Sequence, residues 1–140
     1  MPVSITAELA APIAKVWDLV SDFPGLKRWH PLVERCETRG SGVGAIRTVH
    51  FADWWAAERL ESLDREAHSF TYAIVDSDRR PIIGVRGRMS LVEVKPGVTQ
   101  LTWQSGLEDG NEHAATVNGG LAAYYPLRVG HLKAALGIPA

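Results

Sequence analysis

Two residues that flank one hairpin, Arg47 and Glu58, have the types and spacing to do chemistry together. In AIRTVHF the alternation puts Ala45, Arg47, Val49 and Phe51 on one face and Ile46, Thr48 and His50 on the other. The first set ends in the bulkier residue and carries the charge, so Arg47 is expected to point inward. A four-residue loop at Ala52–Trp55 would pair Phe51 with Ala56, Val49 with Glu58 and Arg47 with Leu60. Arg47 and Glu58 are then diagonal neighbours on one face, roughly 7–8 Å apart and within reach of long side chains. Such a pair is either a structural ion pair closing one end of the core or a polar anchor. In the second case Arg47 is a planar donor for a carbonyl or carboxylate. His30 is the side chain able to move protons near neutral pH, with Asp22 a candidate to orient it. The other reading makes His30 a surface turn residue.

Other apparent motifs fail on mechanism. Gly40, Gly42 and Gly44 imitate a phosphate loop, but the adjoining AIRTVHF alternates as a strand, and phosphate binding needs a helix N-terminus there. The five histidines, at 30, 50, 68, 113 and 131, form no HxxxH or HExxH pair. His113 and His131 share a helical face but lie about 27 Å apart along it, so no metal site is expected. There is no GxSxG elbow, and Cys36 sits in a strand without a recognisable base, which leaves nucleophilic catalysis unsupported.

Periodicity defines the elements that must position these groups. Val3, Ile5, Ala7 and Leu9 alternate as a first strand. Pro12 then opens a helix whose face is Ile13, Val16, Trp17 and Val20, and Ser21-Asp22 closes it. Phe23 to Trp29 reads as a short helical piece interrupted by Pro24-Gly25. From Pro31 to Leu107 the pattern is strand-like, broken by turns at Gly40–Gly44, Ala52–Trp55, Arg65–His68, Ser77–Pro81 and Pro96-Gly97, giving seven strands in all. From about Glu112 the period becomes helical through Val117, Leu121, Tyr125, Leu132 and Leu136, with a kink expected at Pro126. Arg128 falls on that apolar stripe and reads as an arginine snorkelling at the helix surface. An antiparallel sheet of this length needs its apolar face covered, and only the last helix is long enough. The fold class is α+β in one domain, residues 1–140.

Composition excludes several classes. Hydrophobic residues are 46% and charged residues 22%, which is globular rather than disordered. Fifteen basic and sixteen acidic residues leave a net charge of −1, a poor footprint for nucleic acid. A lone Cys36 excludes an intrachain disulfide and fits a reducing compartment. The start lacks a basic region followed by an apolar run, and no 18-residue apolar stretch exists, so a cytoplasmic protein without a membrane span is expected.

The stretches AAPIAKVWDLVSDFPGLKRWHP, GVGAIRTVHF, ERLESLD, FTYAIVDSDRRP, TQLTWQSGLE and GHLKAAL resemble the START/birch-pollen-allergen (SRPBCC) superfamily. Within it they are most similar to the polyketide cyclase/dehydrase and lipid-transport branch. The resemblance runs from residue 3 to residue 136, and its motifs are specific for the fold more than for activity. It implies a helix-grip fold, a seven-stranded antiparallel sheet wrapped around the long C-terminal helix and enclosing a cavity. Alternation then assigns the lining. Trp103 faces inward with Leu101 and Leu107, and Tyr72 with Phe70 and Ile74; Phe51, Met89 and Tyr125 complete the apolar wall. Trp29-His30-Pro31 matches the family's Trp-His-Pro pattern, which implies Trp29 and His30 at the cavity rim. Trp54-Trp55 at a hairpin tip either gates the mouth or makes a homodimer contact, with the gate preferred.

The resemblance implies three functions. In the first, the cavity binds or carries a hydrophobic, aromatic or polycyclic small molecule, with Arg47, Glu58 and His30 as its polar fixing points. In the second, a cofactor-free cyclase or lyase uses Arg47 to polarise a carbonyl and His30, Glu58 or Tyr72 to shuttle a proton. The third is a protein-partner or co-chaperone role. No cofactor is implied by any of them.

Overall fold

The computed structural model describes residues 1–139. Its order is β1 (Val3–Leu9), α1 (Ile13–Val20), a 3-10 segment (Phe23–Arg28), β2 (Arg35–Arg39), β3 (Ile46–His50), β4 (Trp55–Asp64), β5 (Ser69–Ser77), a 3-10 turn (Arg80–Ile82), β6 (Arg86–Lys95), β7 (Val98–Gly106) and α2 (Ala114–Ala135). The strands form one antiparallel sheet in the order β1-β7-β6-β5-β4-β3-β2. Hairpins therefore link β2 through β7 in sequence, and only β1 crosses the sheet, joining the far edge of β7 from Val3↔Ser105 to Leu9↔Thr99. This is the helix-grip arrangement expected from the resemblance.

The sheet is bent where β4 meets β5. Register shifts fall between Ala57 and Glu58 and between Leu60 and Ser62. An extra residue in one strand sharpens the local twist and curls the sheet, here toward α2. The concave face carries the alternate residues: Arg47 and Val49, then Phe70 and Tyr72, then Met89, then Leu101 and Trp103, all buried. At Gly87 a Cβ would collide with the Tyr72 ring, so the glycine admits that ring onto the concave face.

α1 presents Val16, Leu19 and Val20 to the core and ends at Ser21, whose amide donates to the Trp17 carbonyl. The 3-10 segment is broken by non-helical backbone at Gly25, as the Pro24-Gly25 pair predicts. α2 packs on β1 and β7, burying Tyr125, Arg128, Val129 and Leu132, and it continues as helix through Pro126. Asn118 ties its N-terminal half to the end of β7, accepting from the Leu107 amide at 2.8 Å and donating to the Leu107 carbonyl at 3.0 Å. At the other end Lys15 donates to the Leu136 carbonyl at 3.1 Å. No helix of the described residues is long and apolar enough to cross a membrane.

Two expectations change. The hairpin after β3 turns over Phe51–Trp54, so His50 pairs with Trp55 and Arg47 pairs directly with Glu58 rather than with Leu60. Trp55 therefore begins β4 and does not share the tip with Trp54. Arg128 is not at the surface: it is 3% exposed, because the stripe containing Tyr125, Val129 and Leu132 faces the sheet and carries it inward.

Candidate functional site

Between the sheet and α2 lies a cavity of about 390 Å³. Trp29, His30, Arg47, Phe51, Trp54, Glu58, Tyr72, Met89, Trp103 and Tyr125 all line it. They come from the segment after α1, from β3 to β7 and from α2. Strand alternation could find most of them because each strand contributes every second residue to one concave face.

Arg47 and Glu58 form a buried pair on the β3–β4 wall. The Arg47 Nε donates to Glu58 Oε1 at 2.7 Å, and Nη2 lies 2.7 Å from the same oxygen. Nη1 donates to the Phe23 carbonyl at 2.9 Å, and the guanidinium lies 4.0 Å over the Phe23 ring. Each guanidinium nitrogen thus has a protein partner. Both contacts to the carboxylate end on Oε1, and Glu58 itself lines the cavity.

His30 is buried, 5% exposed, and not a surface turn residue. The aromatic packing around Trp29 and Phe51 encloses it, with ring centroids 5.8 Å and 5.5 Å away. Asp22 does not orient it; that carboxylate pairs with Arg28 at 2.9 Å. The partner of His30 is Tyr124, whose hydroxyl lies 3.2 Å from Nε2. Burial, and then the charges of Arg128, His131 and Arg47, push the imidazole down to about 4. The ring is therefore neutral at physiological pH.

The depressed imidazole makes stability depend on pH. Unfolded, His30 titrates near 6.5; between there and about 4 the unfolded chain binds a proton that the native state refuses. Stability is therefore lost as pH falls through that window, by on the order of 3 kcal/mol, and levels off below it. Urea unfolding from pH 7 to pH 4 should show wild type losing that much more than His30→Gln. Parallel curves would contradict the assignment.

Next to Trp29 and Arg47 the wall is a buried aromatic group. Trp103 stacks on Tyr125 with centroids 4.1 Å apart and meets Trp29 edge-on at 6.0 Å. Its Nε1 donates to the Tyr72 hydroxyl at 3.0 Å, and Tyr125 hydrogen-bonds Ser105. Burial raises the Tyr72 phenol well above its ordinary range and pushes Tyr125 up to about 12, so both stay protonated.

Several wall residues escaped the sequence reading. Tyr124 neighbours the predicted Tyr125, and the signal for it was a second row at i, i+4 spacing, Thr116, Gly120 and Tyr124, all of which line the cavity. Gly120 weakens the helix by composition, yet a side chain there would enter open space. Arg79 lies 4.1 Å over the Trp54 ring, and Trp54 stacks on Phe51 at 4.3 Å. An aromatic ladder thus runs from exposed Arg79 to buried His30, a contact between loops that no single-strand period reveals. Among the described residues, no three His, Cys, Asp or Glu side chains are placed to hold a metal ion.

The family described as polyketide cyclase/dehydrase and lipid transport matches residues 2–137. The abscisic acid receptor PYL6 of Arabidopsis thaliana is 28% identical over 83 residues, which span 54% of this chain and 39% of the receptor. The match therefore takes in less than half of that relative's length. A solution structure from Thermobifida fusca is 27% identical, with a TM-score of 0.80 over 94% of this chain and 89% of that one. The di-domain ARO/CYC BexL from the BE-7585A biosynthetic pathway superposes with a TM-score of 0.79 at 14% identity, covering 96% of this chain and 46% of BexL. That last likeness is one of fold.

Proposed function

The chain belongs to the polyketide cyclase/dehydrase and lipid transport family, and on that premise we propose that its cavity encloses a hydrophobic small molecule with a planar, aromatic or polycyclic body. One observation carries this reading: a cavity of about 390 Å³ whose wall is aromatic and aliphatic except for a few converging polar groups. That volume and composition suit a small-molecule site. A relative that is an abscisic acid receptor supports binding as a role within the family.

The polar groups divide the work. Arg47 is engaged with Glu58 and Phe23, so its part is to hold the carboxylate in place. Glu58 Oε2 then accepts from a ligand hydroxyl or N–H. Trp54, stacked on Phe51 beneath Arg79, serves as the gate. Calorimetric titration with planar aromatic alcohols tests this assignment. Micromolar binding is expected in wild type, weakened about tenfold in Glu58→Gln, which removes a charge-assisted hydrogen bond. No binding by any such compound would contradict it.

A second reading, a cofactor-free cyclase or lyase, is favoured by the contact between His30 and Tyr124. A neutral imidazole on a phenol at the cavity wall can take a proton from a bound carbon acid and return one to an oxygen. On this reading His30→Asn lowers turnover at unchanged affinity, whereas a carrier shows no rate to lose.

A further inference from the structure

Arg128 is a buried cation without a carboxylate. It is 3% exposed, and among the described residues no Asp or Glu lies within ion-pair distance of it. Its contacts are with its own helix: Nη1 is 2.7 Å from His131 Nδ1, and the guanidinium lies 3.7 Å over the Tyr124 ring. These are the i+3 and i−4 neighbours on one helical face. Two polar atoms in this cluster, Arg128 Nε and His30 Nδ1, are buried without a hydrogen-bond partner. An unpaired buried charge is strongly unfavourable, and a site that keeps one is suited to an anion supplied from outside the chain.

The cavity wall beside this cluster has no negative charge to spare. Arg47 and Glu58 offset one another. Arg79 adds a further positive charge at the mouth, with Asp53 4.0 Å away and both largely exposed. Tyr124 and His30 are the members of the cluster that line the cavity, and Arg128 stands one ring behind them. His30 Nδ1 is buried with no acceptor for a proton, which favours the Nε2–H tautomer. Its Nε2 then donates to the phenol oxygen 3.2 Å away, and the Tyr124 O–H is left to donate to a ligand.

We propose that the cavity selects ligands that carry a carboxylate, seated against the Tyr124 hydroxyl with Arg128 supplying the compensating charge. This rests on the cavity being the ligand site and deepens that reading by naming the acidic group. Tyr124 makes the direct contact, and Arg128 acts through it as a positioning charge. An amide of the same shape would meet the same hydroxyl but gain nothing from the cation.

The test is calorimetry with 1-naphthoate and its uncharged isostere 1-naphthamide on the full chain. Wild type is expected to bind the carboxylate about tenfold more tightly or better, the scale of one unit charge across a ring in a partly buried site. Arg128→Gln and Tyr124→Phe should bring that ratio close to one, while Arg128→Lys keeps most of it. Equal affinities in wild type, or a ratio unchanged in Arg128→Gln, would overturn this inference and leave the cavity reading standing. Binding of neither compound to wild type would overturn both.

Discussion

Replacing Glu58 with alanine is expected to remove about 3–5 kcal/mol of unfolding free energy, the cost of breaking a buried ion pair from one side. The carboxylate holds two Arg47 nitrogens at 2.7 Å each. Without it the guanidinium keeps one hydrogen bond, to the Phe23 carbonyl, and the aromatic faces of Phe23 at 4.0 Å and Tyr72 at 5.9 Å. The side chains are 7% and 14% exposed, so water does little to compensate. Glu58→Gln retains an oxygen for Arg47 and should cost less. Replacing both partners, as Arg47→Met with Glu58→Leu, should recover much of the loss, because an apolar pair of similar volume avoids desolvating either charge. Urea unfolding of the four proteins measures all of this. A loss of under about 1 kcal/mol for Glu58→Ala would place the pair among exposed salt bridges and remove the argument that it is held rigid for a ligand.

Trp103→Ala should cost a similar amount, about 3–5 kcal/mol. The indole joins three parts of the wall, with Tyr125 of α2 at 4.1 Å, Trp29 at 6.0 Å and the Tyr72 hydroxyl of β5 at 3.0 Å. Its removal leaves a void and takes from the buried Tyr72 oxygen its donor. Trp103→Phe separates the two effects, since it keeps most of the bulk and loses the hydrogen bond, at about 1 kcal/mol. The alanine variant should also shift ligand preference toward compounds with an additional ring, because the void opens onto the cavity. Unchanged stability in Trp103→Ala would mean that the neighbours collapse into the space. The wall would then be plastic rather than preformed.

How much of the site is legible in the sequence depends on the range of the interaction. Alternation is local, so the inward positions of Arg47, Tyr72 and Trp103 could be read strand by strand. The partner of Arg47 depended on one loop length: turning over Phe51–Trp54 moves the pairing by two residues, which keeps Glu58 on the same face and changes it from a diagonal to a direct neighbour. Arg128 misled for a chemical reason. A charged residue on an apolar stripe ordinarily reaches for water, but here the stripe faces the sheet and the Tyr124 ring takes the guanidinium. His30 was ambiguous because its burial comes from Tyr124 and Phe51, residues distant in sequence. The stacking of Arg79 on Trp54 joins two loops and has no periodic signature.

Native mass spectrometry of the freshly purified chain decides whether the space between the sheet and α2 holds a small molecule. A discrete added mass that disappears on denaturation, or that appears after incubation with a planar aromatic acid, is the predicted result. A bare 15.3 kDa chain both as purified and after incubation with such acids would contradict it.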